Sequence, residues 1–405
     1  MAYDLIRGIP QMMGLRTQFV HLWVCDQTEK SNDTFEDYGL FTQVEQLNKT
    51  ALKAHGLDKS GHLYKVNSFD FHRYEDTIKL ADDPDYNQAN FEGMLEIKGD
   101  SDHTKLIEML DALNDESQKI DDVLDTYFDT ENLVYWLAFQ ILTGNCDTQN
   151  RNCYLYSPLN SNTWYFLDWD NDGMLRKLEL SLTGFSDYAS WERGVSNYWG
   201  NVLFNRALRS KSFRSELDRA VKDLRSYLTE TRLTKMIKHY REVTESLVFA
   251  SPDIDHLPVT KDQYEQITAA IPSEIEENYK SFRESYKKPM PFYIGVPQID
   301  NGKLRINWDA SYDFKARDIR YTVELARDYA ISDVVFKAED VLLPEVTCDA
   351  PDAGQYFVRV RATNSDGYTQ DAFDYYVTDG GKQYGMKCFY VQDGGRVVED
   401  TYEEG

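Results

Sequence analysis

Near residue 290 the chain changes its hydrophobic period, and that switch limits what it can fold into. Before the break at Lys287-Lys288-Pro289-Met290-Pro291, apolar residues recur at helical spacing. Leu106, Met109, Leu110 and Leu113 do so, and later Leu203, Leu208, Phe213, Leu217, Val221 and Leu224. After the break, Leu304-Arg305-Ile306-Asn307-Trp308, Tyr321-Thr322-Val323-Glu324-Leu325 and Tyr356-Phe357-Val358-Arg359-Val360-Arg361-Ala362 alternate. A period near 3.6 marks helices with one buried face, and a period of 2 marks half-buried strands. The expectation is an α+β domain over residues 1–288 and an all-β, immunoglobulin-like sandwich over 293–378. Residues 379–405, with Gly380-Gly381, Gly394-Gly395 and an acidic end, read as a partly loose acidic tail.

Inside the first domain, Val20 to Val24, Gly39 to Glu45 and Leu63 to Val66 read as strands, and polar Gln27 to Asp37 as a hairpin loop. Residues 76–101, with Asp82-Asp83-Pro84-Asp85, read as a surface excursion. Leu133 to Phe139 is apolar nearly all round, which predicts a central helix ending near Gly144. Cys153 to Tyr156 and Trp164 to Leu167 read as short strands joined by the turn Ser157-Pro158-Leu159-Asn160. The segment 259–287 reads as a helix interrupted by Pro272.

Composition narrows the function classes. The 405 residues suit two or three domains, and 41% hydrophobic residues exclude a largely disordered chain. The charge of −25 repels nucleic-acid backbones and anionic membranes and favours neutral or basic partners. No apolar run reaches the ~18–20 residues of a membrane helix. The first residues lack the basic and apolar regions of a signal peptide. Cys25, Cys146, Cys153, Cys348 and Cys388 are scattered without a CxxC, so they indicate neither a zinc site nor a disulfide framework.

Chemistry concentrates between Gly144 and Gly173. Asp147 is followed, after four residues, by Asn152; a strand, a turn and a strand later comes Asp168-Trp169-Asp170-Asn171-Asp172-Gly173. Clustered carboxylates at a strand end need a cation or a proton, and an all-oxygen set suits Mg²⁺, Mn²⁺ or Ca²⁺. Two readings compete. In phosphoryl transfer, an Asp orients the substrate hydroxyl, an Asn five positions on holds metal, and an Asp after a short hairpin holds metal too. Asp147, Asn152 and Asp170 reproduce that order. In a calcium loop, Asp168, Asp170, Asp172, Gly173 and Glu179 match D-x-D-x-D-G-x₅-E, but that motif needs an entering helix where this sequence reads as a strand.

Four segments resemble the CotH family of spore-coat protein kinases over roughly residues 1–285. They are Met1-Ala2-Tyr3-Asp4-Leu5 through Val24, Tyr38 to Gln46, Gly61-His62-Leu63-Tyr64-Lys65, and the pair formed by Asp147 to Asn152 with Leu167 to Asp172. The resemblance implies an atypical protein-kinase-like domain that uses ATP and Mg²⁺ or Mn²⁺, with Ca²⁺ as the alternative ion. Asp147 would orient a Ser or Thr hydroxyl, and Asn152, Asp170, Asp172 and Asp168 would be the metal candidates. Tyr64 and Trp169 match an aromatic pair that sandwiches adenine. Lys65 would be a cation near the phosphates, and Glu45 would orient a lysine. The resemblance places the start of the family's kinase domain upstream of the "YDL" helix, so the expectation here is either a fragment of a longer product or a truncated N-terminal lobe.

Residues 293–378 resemble a fibronectin type III module, with Trp308 as the early-strand core residue and Tyr356, Val358, Val360 and Ala362 on one inward face. Together the resemblances imply a secreted or surface protein acting on a basic or Ser/Lys-rich protein substrate. The alternative is a non-catalytic surface adhesion protein that keeps a kinase-like fold. The sequence leaves the oligomeric state open.

Overall fold

The computed structural model describes residues 1–28, 34–184 and 189–400. It forms two compact units: Met1–Ser186 with Asn201–Asn278, and Asp187–Gly200 with Tyr279–Gly405. The first domain was expected to run unbroken to residue 288. Instead, the segment ending at Gly200 groups with the second unit, where Trp191 Nε1 donates to the Ala372 carbonyl at 3.2 Å.

The first unit opens with α1 (Ala2–Ile6), β1 (Thr17–Val24), β2 (Glu36–Val44), α2 (Lys49–Ala54) and β3 (His62–Val66). Next come α3 (Gln88–Met94), β4 (Leu95–Ile97), α4 (Thr104–Asn114), α5 (Ile120–Tyr127) and α6 (Thr130–Thr143). The hairpin β5 (Cys153–Ser157) and β6 (Tyr165–Asp168) leads to α7 (Lys177–Thr183), α8 (Val202–Arg209), α9 (Lys211–Tyr227), α10 (Glu230–Val248) and α11 (Lys261–Ser285). β1 and β2 pair as an antiparallel ribbon; of the hairpin loop expected between them, residues 29–33 lie outside the described residues. A four-stranded sheet runs β4-β3-β5-β6, with every pairing antiparallel. The expected surface excursion at 76–101 contains α3 and β4 instead, because Ile78, Phe91 and Leu95 are all fully buried. A three-residue strand is too short to show a period in sequence.

α6 is the axis of this unit. Asp129 caps its start by accepting from Asn132 N at 2.9 Å, and Gly144 ends it in the left-handed region at φ 68°. The Trp136 ring packs on Phe166 of β6 at 4.9 Å and on Phe204 of α8 at 6.0 Å. Asn132 is buried yet fully used: its Nδ2 donates to the Phe166 and Gln11 carbonyls, and its Oδ1 accepts from Phe166 N at 2.7 Å. These bonds fix the hairpin against the helix, so the two loops at its far end keep their mutual position.

The second unit is all β apart from its helical entry. Its strands are β7 (Gln298–Asp300), β8 (Lys303–Asn307), β9 (Ile319–Ala326), β10 (Val334–Val341), β11 (Glu345–Asp349) and β12 (Gly354–Asn364). β13 (Thr369–Asp371), β14 (Tyr375–Thr378), β15 (Gly381–Tyr384), β16 (Met386–Val391) and β17 (Val397–Glu399) complete it. One sheet runs β10-β9-β12-β16-β17, another β11-β8-β7. Trp308, Tyr356, Val358, Val360 and Ala362 share one buried cluster, as the alternation requires. The stretch expected as a loose tail carries β15, β16 and β17, and β16 pairs with β12 in the middle of the larger sheet. Met386-Lys387-Cys388-Phe389-Tyr390-Val391 does not alternate, because the strand buries both faces: Met386 and Cys388 pack in one cluster and Phe389 and Val391 in another.

Candidate functional site

The loop after α6 and the turn after β6 meet at one end of the β5–β6 hairpin. Asn152 and Asp170 both sit in the left-handed region, at φ 60° and 55°. For non-glycine residues that conformation persists only where the surroundings hold it. Asn152 Nδ2 donates to Asp147 Oδ2 at 2.8 Å. That bond points the Asn152 amide nitrogen at Asp147 and leaves its oxygen for another partner. Asp147 Oδ1 is buried with no hydrogen-bond partner. Burial, and then the nearby Asp172 charge, raise the Asp147 carboxyl above its ordinary range. Asp170 is raised as well, by partial burial and then by Asp172 and Asp147. The structure therefore brings Asp147, Asn152, Asp170 and Asp172 together.

Gly173 is required here by space. A Cβ on it would lie 2.5 Å from Asn145 Oδ1 and 3.0 Å from Asp147 Oδ1. The turn closes onto the carboxylates only because that carbon is missing.

Asp168 belongs to a different environment. It is 2% exposed and faces inward, accepting from Gln140 Nε2 at 2.6 Å and from Asn171 Nδ2. Burial pushes its carboxyl up to about 7 against those donors. Gln140 also accepts from Asn145 Nδ2 at 3.0 Å, so one α6 side chain ties both loops together. Asp168 is a strut for the turn rather than a free metal ligand. Glu179 lies on α7 and pairs with Arg176 at 2.7 Å. The calcium-loop alternative fails on both ends, since a strand enters it and its first and last acids are committed elsewhere. Among the described residues, no group of three or more His, Cys, Asp or Glu stands ready to hold a metal ion.

The expected aromatic sandwich is not formed. In the β3–β5–β6 register Tyr64 faces Leu155 and Phe166, whereas Lys65 faces Tyr154 and Leu167. Successive strand residues point to opposite faces, and Trp169 packs edge-on against Tyr154 at 5.6 Å. Tyr64 and Trp169 thus lie on opposite sides of the sheet. Tyr64 is fully buried among Phe91, His103 and Trp164, with its hydroxyl 2.9 Å from His103 Nδ1. No ring face is left for a purine. Glu45 is likewise engaged away from any lysine: it pairs with Arg16 and sits 2.7 Å from His55 Nε2. The Arg16 bonds above all hold its carboxyl down at about 2. Lys65 is half-buried on the Tyr154 face.

On that face a cleft of about 500 Å³ opens beside Met12, Met13, His55, Tyr156, Tyr165 and Leu167. A second cleft of about 520 Å³ between α10 and α11 shares no residue with the carboxylate cluster. Sequence reading missed the roles of Asn132, Gln140 and Tyr3, and read Gly173 only as the glycine of a calcium loop. Tyr3 of α1 accepts from Asp170 N at 3.2 Å. The available signal was Gln140, a polar residue inside an otherwise apolar helix, and buried polar groups need partners.

A search of curated proteins finds no match. Among solved structures the chain is similar to the twitchin kinase region from C. elegans, with 19% identity, 24% of this chain covered and a TM-score of 0.18. The chain spans about one fifth (20%) of that structure's length. A family model described as CotH kinase protein matches residues 1–282. With well over half of its length inside that match, and with Asp147, Asn152 and Asp170 gathered at one hairpin end, the chain belongs to the CotH kinase protein family.

Proposed function

We propose that this kinase-like protein transfers the γ-phosphate of ATP to a Ser or Thr hydroxyl of a protein. The observation that carries this reading is the unpartnered Oδ1 of Asp147, buried beside Asn152 and two further carboxylates. A carboxylate oxygen left without a donor is costly unless something arrives to bond it. A substrate hydroxyl fits that need, and the raised Asp147 carboxyl suits a group that receives a proton.

The residues also fit a divalent ion. Asp170 and Asp172 repel each other and Asp147 without a cation, and the Asn152 oxygen faces away from its bond to Asp147. Asn152 and Asp170 would hold the ion, with Asp172 as a further ligand. When bound, a divalent ion supplies neutralisation of charge on the β- and γ-phosphates. Mg²⁺ and Mn²⁺ both suit these oxygen donors.

For the base we infer the cleft beside Tyr156, Tyr165 and Leu167 rather than the Tyr64–Trp169 pair. Asn152 immediately precedes β5 and Tyr156 lies near its far end, so strand rise from Cys153 to Tyr156 puts them roughly 10 Å apart, a span that a nucleoside triphosphate bridges. Lys65 and Trp169 flank the path between them, on the Tyr154 face. The −25 charge would steer a basic, Lys-rich substrate to the protein. Family membership supports a surface-associated setting. The test is incubation with γ-labelled ATP and a Ser-rich basic protein, with Mg²⁺ or Mn²⁺, beside Asp147→Ala. Metal-dependent label in the parent alone supports the reading, and equal label in both, or none in either, refutes it.

A further inference from the structure

In the sandwich unit, a lysine and two carboxylates gather at the core face of the larger sheet. Lys387 of β16 stands opposite Val358 of β12, and Phe389 opposite Tyr356. Glu399 of β17 stands opposite Phe389. Directly opposed residues of an antiparallel pair share a face, so Lys387 and Glu399 point to the side of Tyr356, Val358 and Phe389, all 2% exposed or less. Lys387 Nζ lies 3.1 Å from Asp374 Oδ1 and 2.6 Å from Glu399 Oε1. The side chains of Lys387 and Asp374 are 16% and 9% exposed. Ile294 N donates to Asp374 Oδ2 at 2.7 Å and fixes the carboxyl.

A sheltered ion pair carries a desolvation penalty on both partners. Condensation to an amide removes both charges and keeps the contact. We propose that Lys387 and Asp374 become joined by an intramolecular amide bond once the sandwich has folded, with Glu399 as the proton carrier. Burial alone would lower the Lys387 amine, but Asp374 and Glu399 outweigh it and keep it protonated. Glu399 must therefore take a proton first. Nζ then attacks Asp374 Cγ and the N–C bond forms. The negative charge that develops on Oδ2 lies against the Ile294 N–H, as in an oxyanion hole. The C–Oδ1 bond breaks as Oδ1 takes up the two protons that Nζ gives away, relayed by Glu399, and leaves as water. The third proton stays on the amide nitrogen, and Glu399 ends as it began. Burial also raises the Asp374 carboxyl against the pull of Lys387, so the charge that the amide bond removes is one its surroundings disfavour. The bond would staple the base of the β14–β15 hairpin to β16.

Intact mass spectrometry of the purified chain under denaturing conditions tests this directly, with circular dichroism before denaturation to establish the fold. The expected mass is one water below the sequence mass, and proteolysis should yield a branched peptide joining Lys387 to Asp374. Lys387→Arg should run at its full sequence mass, and Glu399→Gln should lose water at least about tenfold more slowly. Full sequence mass in the folded parent overturns the bond, as does a water loss that maps elsewhere. Equal rates in the parent and Glu399→Gln overturn the relay.

Discussion

Asn152 grips Asp147 through one oxygen, 2.8 Å from Nδ2 to Oδ2, and leaves the other oxygen buried without a partner. The grip orients the carboxylate, and the vacancy gives it something to bind. Both residues hang from a loop that α6 and the β5–β6 hairpin clamp on either side.

Replacing Asp147 by Asn keeps the shape and removes the proton acceptor. Phosphoryl transfer should fall about 10²–10⁴-fold, the usual worth of a positioned acid–base group, while the melting temperature holds or rises. Initial rates with labelled ATP, beside thermal unfolding, check this. An equally active variant would exclude Asp147 from the chemistry.

The two faces of the β3–β5–β6 sheet predict opposite roles for two aromatics. Trp169→Ala should raise the KM for ATP about tenfold, from lost stacking near the base and phosphate path. Tyr64→Phe should leave that KM unchanged and cost about 1 kcal/mol of stability, because it deletes only the bond to His103. KM effects of similar size at both Tyr64 and Trp169 would restore the sandwich.

Glu45 predicts an acid-side dependence. Its carboxyl titrates near 2 in the folded chain, against an ordinary value of 4.5, chiefly through its bonds to Arg16. Between those values the unfolded state binds more protons, so the contribution is complete above about pH 4.5 and vanishes as pH falls towards 2. Glu45→Gln should cost about 1 kcal/mol at pH 7, a figure discounted because solvent screens the exposed Arg16. The gap between parent and variant should close by pH 2–3 in urea titrations. A gap that stays constant with pH would assign the effect to packing.

Deletion of residues 379–405 tests the place of the last strands. Removing β16 uncovers Tyr356 and Val358 and deletes Phe389, which is fully buried in the same cluster. The second unit should lose its cooperative transition and become sensitive to protease. A truncated chain with an unchanged melting profile would return these residues to the status of a tail.

Much of this protein was written in its local pattern. The period switch near Lys287-Lys288-Pro289 separated helix-bearing from all-β sequence, because amphipathic period follows directly from which side of an element is dry. The spacing of Asp147, Asn152 and Asp170 placed these residues at one hairpin end, since the intervening chain is just long enough for two short strands and a turn. Which acid faces which way was not legible. Asp168 and Asp170 are two residues apart, yet one is buried against Gln140 and the other sits at the site, because the backbone turns left-handed at Asp170. Tyr64 and Trp169 look equivalent in sequence and part company only when strand register sends them to opposite faces. Lys387, Asp374 and Glu399 show no motif at all. Their meeting depends on pairing between β12, β16 and β17, and such long-range register is decided by the whole core rather than by any short stretch of chain.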